Sequence, residues 1–171
     1  MRRKSSAALF VVAATTLGAC SAPTSPTTLS VTLTSAPATI TASPSTGVTY
    51  TVVGDATHPD QIIEYPWVTS FTVNMQETGG LAVDITAVSL VVHQASGGIV
   101  IAPSGGAIEH YQFNSTASGN HLNAHGTASV SFQVWYDLPN KGREALVTVS
   151  FSFKDANNNT YSQSIDVKIA P

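Results

Sequence analysis

Period-two alternation of apolar and polar residues runs through this chain segment after segment, and no other feature restricts its fold as much. The stretch WVTSFTVNMQE shows it most cleanly. Trp67, Phe71, Val73 and Met75 share one phase with Thr69, while Val68, Ser70, Thr72, Asn74 and Gln76 take the other. Successive side chains of an extended strand point to opposite faces, so this pattern marks a strand with one buried side and one wet side. Leu29, Val31 and Leu33 repeat the pattern, as do Val48, Tyr50 and Val52. Later come Val130 to Tyr136, then Ala145 to Phe153, then Tyr161 to Ile169. DLPNKG at 137–142 and DANNN at 155–159 separate these last three strands, which are expected to form a consecutive antiparallel meander.

One segment changes phase. Leu81, Val83 and Ile85 share a face, and the apolar series then resumes on Val88, Leu90 and Val92. A β-bulge, or a strand passing between sheets, produces such a shift. Thr78-Gly79-Gly80 supplies a turn, and two SGG pieces at 96–98 and 104–106 bracket a short strand from Ile99 to Ala102. Residues 107–113 are a further candidate strand, whereas 114–126 reads as a polar, irregular loop. GDATHPDQIIEYPW, from Gly54 to Trp67, reads as a packed, loop-like corner. Charged residues make up only 10% of the chain, and Ser, Thr and Val dominate, so good helix formers are scarce. About seven to nine short strands with regular turns predict an all-β antiparallel sandwich.

The amino terminus carries a different signal. Met1-Arg2-Arg3-Lys4 is followed by an apolar stretch from Ala7 to Ala14 and then by Leu17-Gly18-Ala19-Cys20, which holds the chain's one cysteine. A basic start, a short apolar middle and a small-residue end are the parts of a secretory signal peptide. The apolar part falls short of the ~20 residues that a membrane-spanning helix needs. Leu17-Gly18-Ala19-Cys20 resembles the lipobox of bacterial lipoproteins. That resemblance implies a diacylglyceryl group on the Cys20 sulfur, removal of residues 1–19, and membrane lipid as a partner through the acylated cysteine. Residues 20–27 then form a lipidated, Pro-rich tether, and 28–171 form the sandwich domain. The alternation over roughly 28–170 resembles the immunoglobulin-like or fibronectin type III-like sandwiches of bacterial envelope lipoproteins. This is a likeness of architecture, with strand order left open. Export and lipid anchoring at the bacterial cell membrane or outer membrane follow as expectations.

Loss of residues 1–19 would leave four basic residues (Lys141, Arg143, Lys154, Lys168) against ten acidic ones, a net charge of −6. Nucleic acid is excluded as a partner, because phosphate binding needs clustered Lys and Arg. An envelope protein or a polysaccharide is the partner class that remains.

Few residues suggest chemistry. His121 and His125 lie four apart with His110 upstream, a set that a loop could fold around zinc or copper. Solvent-exposed loop histidines are the simpler reading, and no metal or other cofactor is expected. Asp155, Asn157 and Asn159 resemble the start of a calcium loop but lack its glycine and closing Glu, so a turn is expected there. Neither a G-x-S-x-G elbow nor S-x-x-K is present, and Asp55, Asp60 and Glu64 form no evident acid pair. With Val134 and Tyr136 inward, Trp135 faces outward, where an aromatic ring can stack on a sugar; the alternative is that it packs under a loop. The expected role is a non-enzymatic binding or structural module, with loops 54–66, 96–107 and 114–126 as candidate recognition sites. An envelope metal-binding protein using the loop histidines and a small exported hydrolase are the alternatives.

Overall fold

The apolar phases of the sequence meet between two sheets that are antiparallel except for one short parallel pairing at Ile40–Thr41. The structure is a computed structural model and describes residues 28–94, 110–139 and 141–171. The first strands are β1 (Val31–Ala36), β2 (Ile40–Thr41), β3 (Ser43–Pro44), β4 (Thr49–Val52), β5 (Gln61–Glu64) and β6 (Trp67–Glu77). They are followed by β7 (Val83–Gln94), β8 (His110–Ala117), β9 (His121–Leu122), β10 (Thr127–Asp137), β11 (Ala145–Lys154) and β12 (Thr160–Ala170). Sheet I has the order β1-β6-β10-β8, with β3 also paired to β6. Sheet II has the order β2-β12-β11-β7-β9, and β4 and β5 form a separate hairpin. The leader, Cys20 and the tether lie outside the described residues, as do the strand expected at 99–102 and loop 96–107.

Phe71, Val73, Met75, Phe132 and Val134 of sheet I pack against Val147, Val149, Phe151, Phe153, Val167 and Ile169 of sheet II. Phe132 stacks on Phe71 (centroids 5.2 Å apart) and meets Phe151 edge-on across the sandwich at 6.4 Å. Burying each such side chain contributes about 1.5–3 kcal/mol, so the shared phase of these strands supplies most of what holds the layers together.

The phase change in β7 is a bulge. Ser152 of β11 pairs with Ala87 and Phe153 pairs with Ile85, so Thr86 is the extra residue. Its hydroxyl donates to the Ser152 carbonyl at 3.2 Å. Beyond the bulge, Val88, Leu90 and Val92 regain the core.

Three expectations need correction. The last three strands do not form a meander: β10 lies in sheet I while β11 and β12 form a hairpin in sheet II, and the connection after Asp137 crosses the sandwich. Strand alternation is the same whether the next strand pairs alongside or packs across, so it carries no information on this point. Residues 114–117 belong to β8, with Asn114 opposite Gln133 and Thr116 opposite Ser131. Asn114 to Ala117 lie at a sheet edge and are exposed on both sides, which removes the apolar phase that marks a strand. Gln61–Glu64, read as part of a corner, is a strand paired with β4.

Candidate functional site

The outward side of sheet I is a single uncharged surface. Antiparallel register places Gln76, Asn74, Thr72, Ser70 and Val68 of β6 opposite Thr127, Ser129, Ser131, Gln133 and Trp135 of β10. Thr32 and Thr34 of β1 flank one side, and Gln112, Asn114 and Thr116 of β8 flank the other. Every one of these side chains is a hydroxyl, an amide, Val68 or Trp135. A shallow cleft of about 450 Å³ occupies the end formed by Thr32, Thr34, Asn74, Gln76, Thr127 and Ser129. Thr72 and Ser131 bond to one another at 3.0 Å, and Gln76 donates to the carbonyls of Glu77 and Gly126. The amides of Asn74, Gln112, Asn114 and Gln133 carry no side-chain hydrogen bond among the described residues.

Trp135 lies on this face, half-buried, between Val68 and Gln112. One outward step further along β10 comes Asp137, with His110 of β8 opposite it. These are the titratable residues that continue the outward phase, and the β4–β5 hairpin folds over them. Tyr50 of β4 stacks on His110 with centroids 4.1 Å apart and donates its hydroxyl to Asp137 Oδ2 at 2.7 Å. Lys141 Nζ approaches the same oxygen at 2.6 Å. Tyr65 packs on Tyr50 at 4.8 Å, and Asp137 is left only 3% exposed. Asp137 Oδ1 is buried with no hydrogen-bond partner among the described residues. Burial, then the hydrogen bond to Asp137, pushes the Tyr50 hydroxyl pKa up; burial and the Asp137 charge do the same to Tyr65. Both phenols therefore stay protonated and Tyr50 remains a donor. The hairpin thus covers the Asp137 carboxylate at the end of the face and bounds that end with aromatic rings, leaving the exposed Lys141 side chain beside it.

The three candidate histidines are not brought together. His110 is committed to Tyr50 in sheet I. His121 starts β9 in sheet II, where its Nδ1 lies 2.7 Å from Asp84 Oδ1. His125 is exposed in the left-handed region (φ 55°), and its contribution is a backbone N–H given to Glu77 Oε2 at 2.9 Å. No group of three His, Cys, Asp or Glu able to hold a metal occurs among the described residues. Asp155 collects the N–H groups of Asn157 (2.8 Å) and Asn159 (2.9 Å), the Asn159 amide and the Tyr161 hydroxyl, with Asn158 left-handed between them. The Asn159 side chain is foremost in holding its carboxyl below the usual range, and the segment is a turn closed on its own acid. Loop 54–66 is likewise self-closed: Asp55 Oδ1 accepts from Thr57 and His58, and Asp60 accepts from the Gly54 N–H.

Glu77 escaped the sequence reading, although it continues the inward phase of Met75 and precedes Thr-Gly-Gly. It is fully buried and accepts backbone N–H groups from Gly79 (2.7 Å), Gly80 (2.9 Å), His125 (2.9 Å) and Ser30 (3.4 Å). Burial alone would raise its pKa, but these four donors outweigh that and hold it at about 2. Glu77 therefore knots the start of β1, the turn after β6 and the loop before β10, at the cleft end of sheet I.

No family model matches the chain, and no curated protein matches it significantly. Among solved structures it is similar to the GAE domain of yeast GGA1, with 10% identity and a TM-score of 0.37 over 61% of this chain and 80% of that one. A TM-score that low carries no argument about function; the all-β, two-sheet architecture stands on the strand pairing itself.

Proposed function

We propose that this chain is an exported, lipid-anchored, non-enzymatic binding module of the bacterial envelope. Its sandwich is of the immunoglobulin-like kind, held to the membrane through acylated Cys20, and it presents the outer face of sheet I to its partner. The anchor rests on the basic leader and on Leu17-Gly18-Ala19-Cys20. The observation that supports recognition by sheet I is its set of unbonded amides around Trp135, beside acid and imidazole groups that the β4–β5 hairpin covers. Polar groups free of internal partners keep their hydrogen-bonding capacity for a ligand, and loops that close on themselves do not.

The test is mass spectrometry of membrane fractions from cells expressing the wild type and Cys20→Ser. The expected result is a wild type that lacks residues 1–19 and carries acyl chains, with an unprocessed variant. A wild type found soluble with a free Cys20 thiol overturns the anchor.

A further inference from the structure

The structure assigns a ligand class to the outer face of sheet I: an uncharged polysaccharide laid lengthwise along β6 and β10. The inference rests on the reading of this face as the recognition surface and adds what it recognises. Charge argues first. From Thr127 to Trp135 the face presents no ionic group, so a charged polymer would lose hydration there without gaining a counter-charge. Apolar content argues next. Protein interfaces centre on a desolvated, aromatic-rich core, whereas this face offers Val68 and Trp135 among hydroxyls and amides.

A sugar chain needs what is present. Its hydroxyls both donate and accept, as do the amides of Gln112, Asn114 and Gln133. The C–H face of a pyranose ring needs a flat aromatic surface, and Trp135 lies in line with those amides. Length agrees as well. The eight steps from Thr127 to Trp135 at ~3.3 Å each give a track of about 26 Å, long enough for several sugar units. The cleft at Asn74 lies at one end of this track and Trp135 at the other. The Tyr50 hairpin stops the track beyond Trp135 and keeps Asp137 and His110 from facing the ligand.

The experiment is affinity electrophoresis of the full chain in non-ionic detergent, through native gels containing hydroxyethylcellulose, laminarin or dextran, with anionic alginate as the comparator. The expected result is retardation by at least one of the three uncharged polymers, insensitive to added salt, and none by alginate. Trp135→Ala should weaken it by about tenfold. Gln133→Ala, at an exposed position, should also weaken it and carries the test if Trp135→Ala fails to fold. Thr148→Ala on sheet II should leave it unchanged. No retardation by any uncharged polymer, or retardation that survives both sheet I substitutions, overturns the inference. Benzoylphenylalanine placed at position 131 in living cells separates the two readings. A photo-cross-link to a protein overturns the polysaccharide and leaves the recognition surface standing. Absence of both cross-link and retardation overturns both.

Discussion

The two outer faces of the sandwich have nearly the same hydroxyl content and differ in how many of their polar side chains pair across strands. On sheet II, Thr148 donates to Asp166 at 2.8 Å and Ser150 bonds to Ser164 at 2.9 Å across β11 and β12. Lys154 stands opposite Asp84 in register, and Asp84 Oδ1 lies 2.7 Å from His121 Nδ1. These cross-strand pairs, each worth about 0.2–1 kcal/mol, tie β11 to β12 and β7 to β9, while the hydroxyls of Ser89, Ser152 and Ser162 carry no side-chain bond among the described residues. Sheet I makes one such pair, Thr72 with Ser131, and leaves four amides without one among the described residues. Its titratable end is hidden under Tyr50. Sheet II carries charge and more cross-strand pairs, whereas sheet I carries uncharged amides that keep their hydrogen-bonding capacity. Strand composition alone does not separate the two.

That contrast can be broken or sharpened by substitution. Phe151→Ala, in the core that both faces share, should cost about 3–5 kcal/mol in urea unfolding and degrade both faces together. A loss confined to one face would mean that the sheets do not depend on a common core. Glu77→Gln should cost about 1–3 kcal/mol, because N–H groups now collected by a carboxylate would meet an amide. Its effect depends on pH with a definite sign. The folded pKa of about 2 lies below the ordinary 4.5, so the carboxylate's contribution is fully present above pH 4.5 and is lost as pH falls towards 2. Acid unfolding of the wild type should therefore steepen in that window and flatten in Glu77→Gln; parallel curves would remove Glu77 as the knot at the cleft end.

Ser131→Lys and Ser150→Lys place the same charge on opposite faces. Each should shift stability by less than about 0.5 kcal/mol. The first alone should reduce polysaccharide retardation, by about tenfold if the ligand crosses the middle of sheet I. Equal effects from the two would dissolve the contrast between faces. The smallest change is expected from Asp166→Asn, which keeps an acceptor for Thr148 at an exposed site and should stay within about 0.5 kcal/mol by thermal melting.

Much of this was legible in the chain. β6 could be read residue by residue, because its inward side is apolar from Phe71 to Met75 and its outward side polar from Ser70 to Gln76. The phase change after Ile85 was legible, and the pairing with β11 resolves it as a bulge at Thr86 rather than a strand passing between sheets. Trp135 was placed outward by its phase. The β5 and β8 strands were harder to see, since neither Gln61–Glu64 nor Asn114–Ala117 buries a continuous apolar side. Asp137 illustrates the sharper limit. By phase it belongs on the wet side, yet it is buried, because a hairpin more than seventy residues earlier in the chain folds over it.

By itself, then, the sequence determined most of the strands, their inward and outward faces and the change of phase between Ile85 and Val88. All of these follow from the two-residue repeat of extended backbone and the gain from hiding one side of it. Tertiary structure decided which sheet each strand joined, since β10 and β11 alternate alike but lie in different layers. It also decided which polar groups remain unpaired, through register: Thr148 is brought to Asp166, whereas Gln133 meets Asn114 without a bond between their side chains. Pairing and coverage depend on residues distant in the chain, and a local pattern of hydrophobicity holds no record of them.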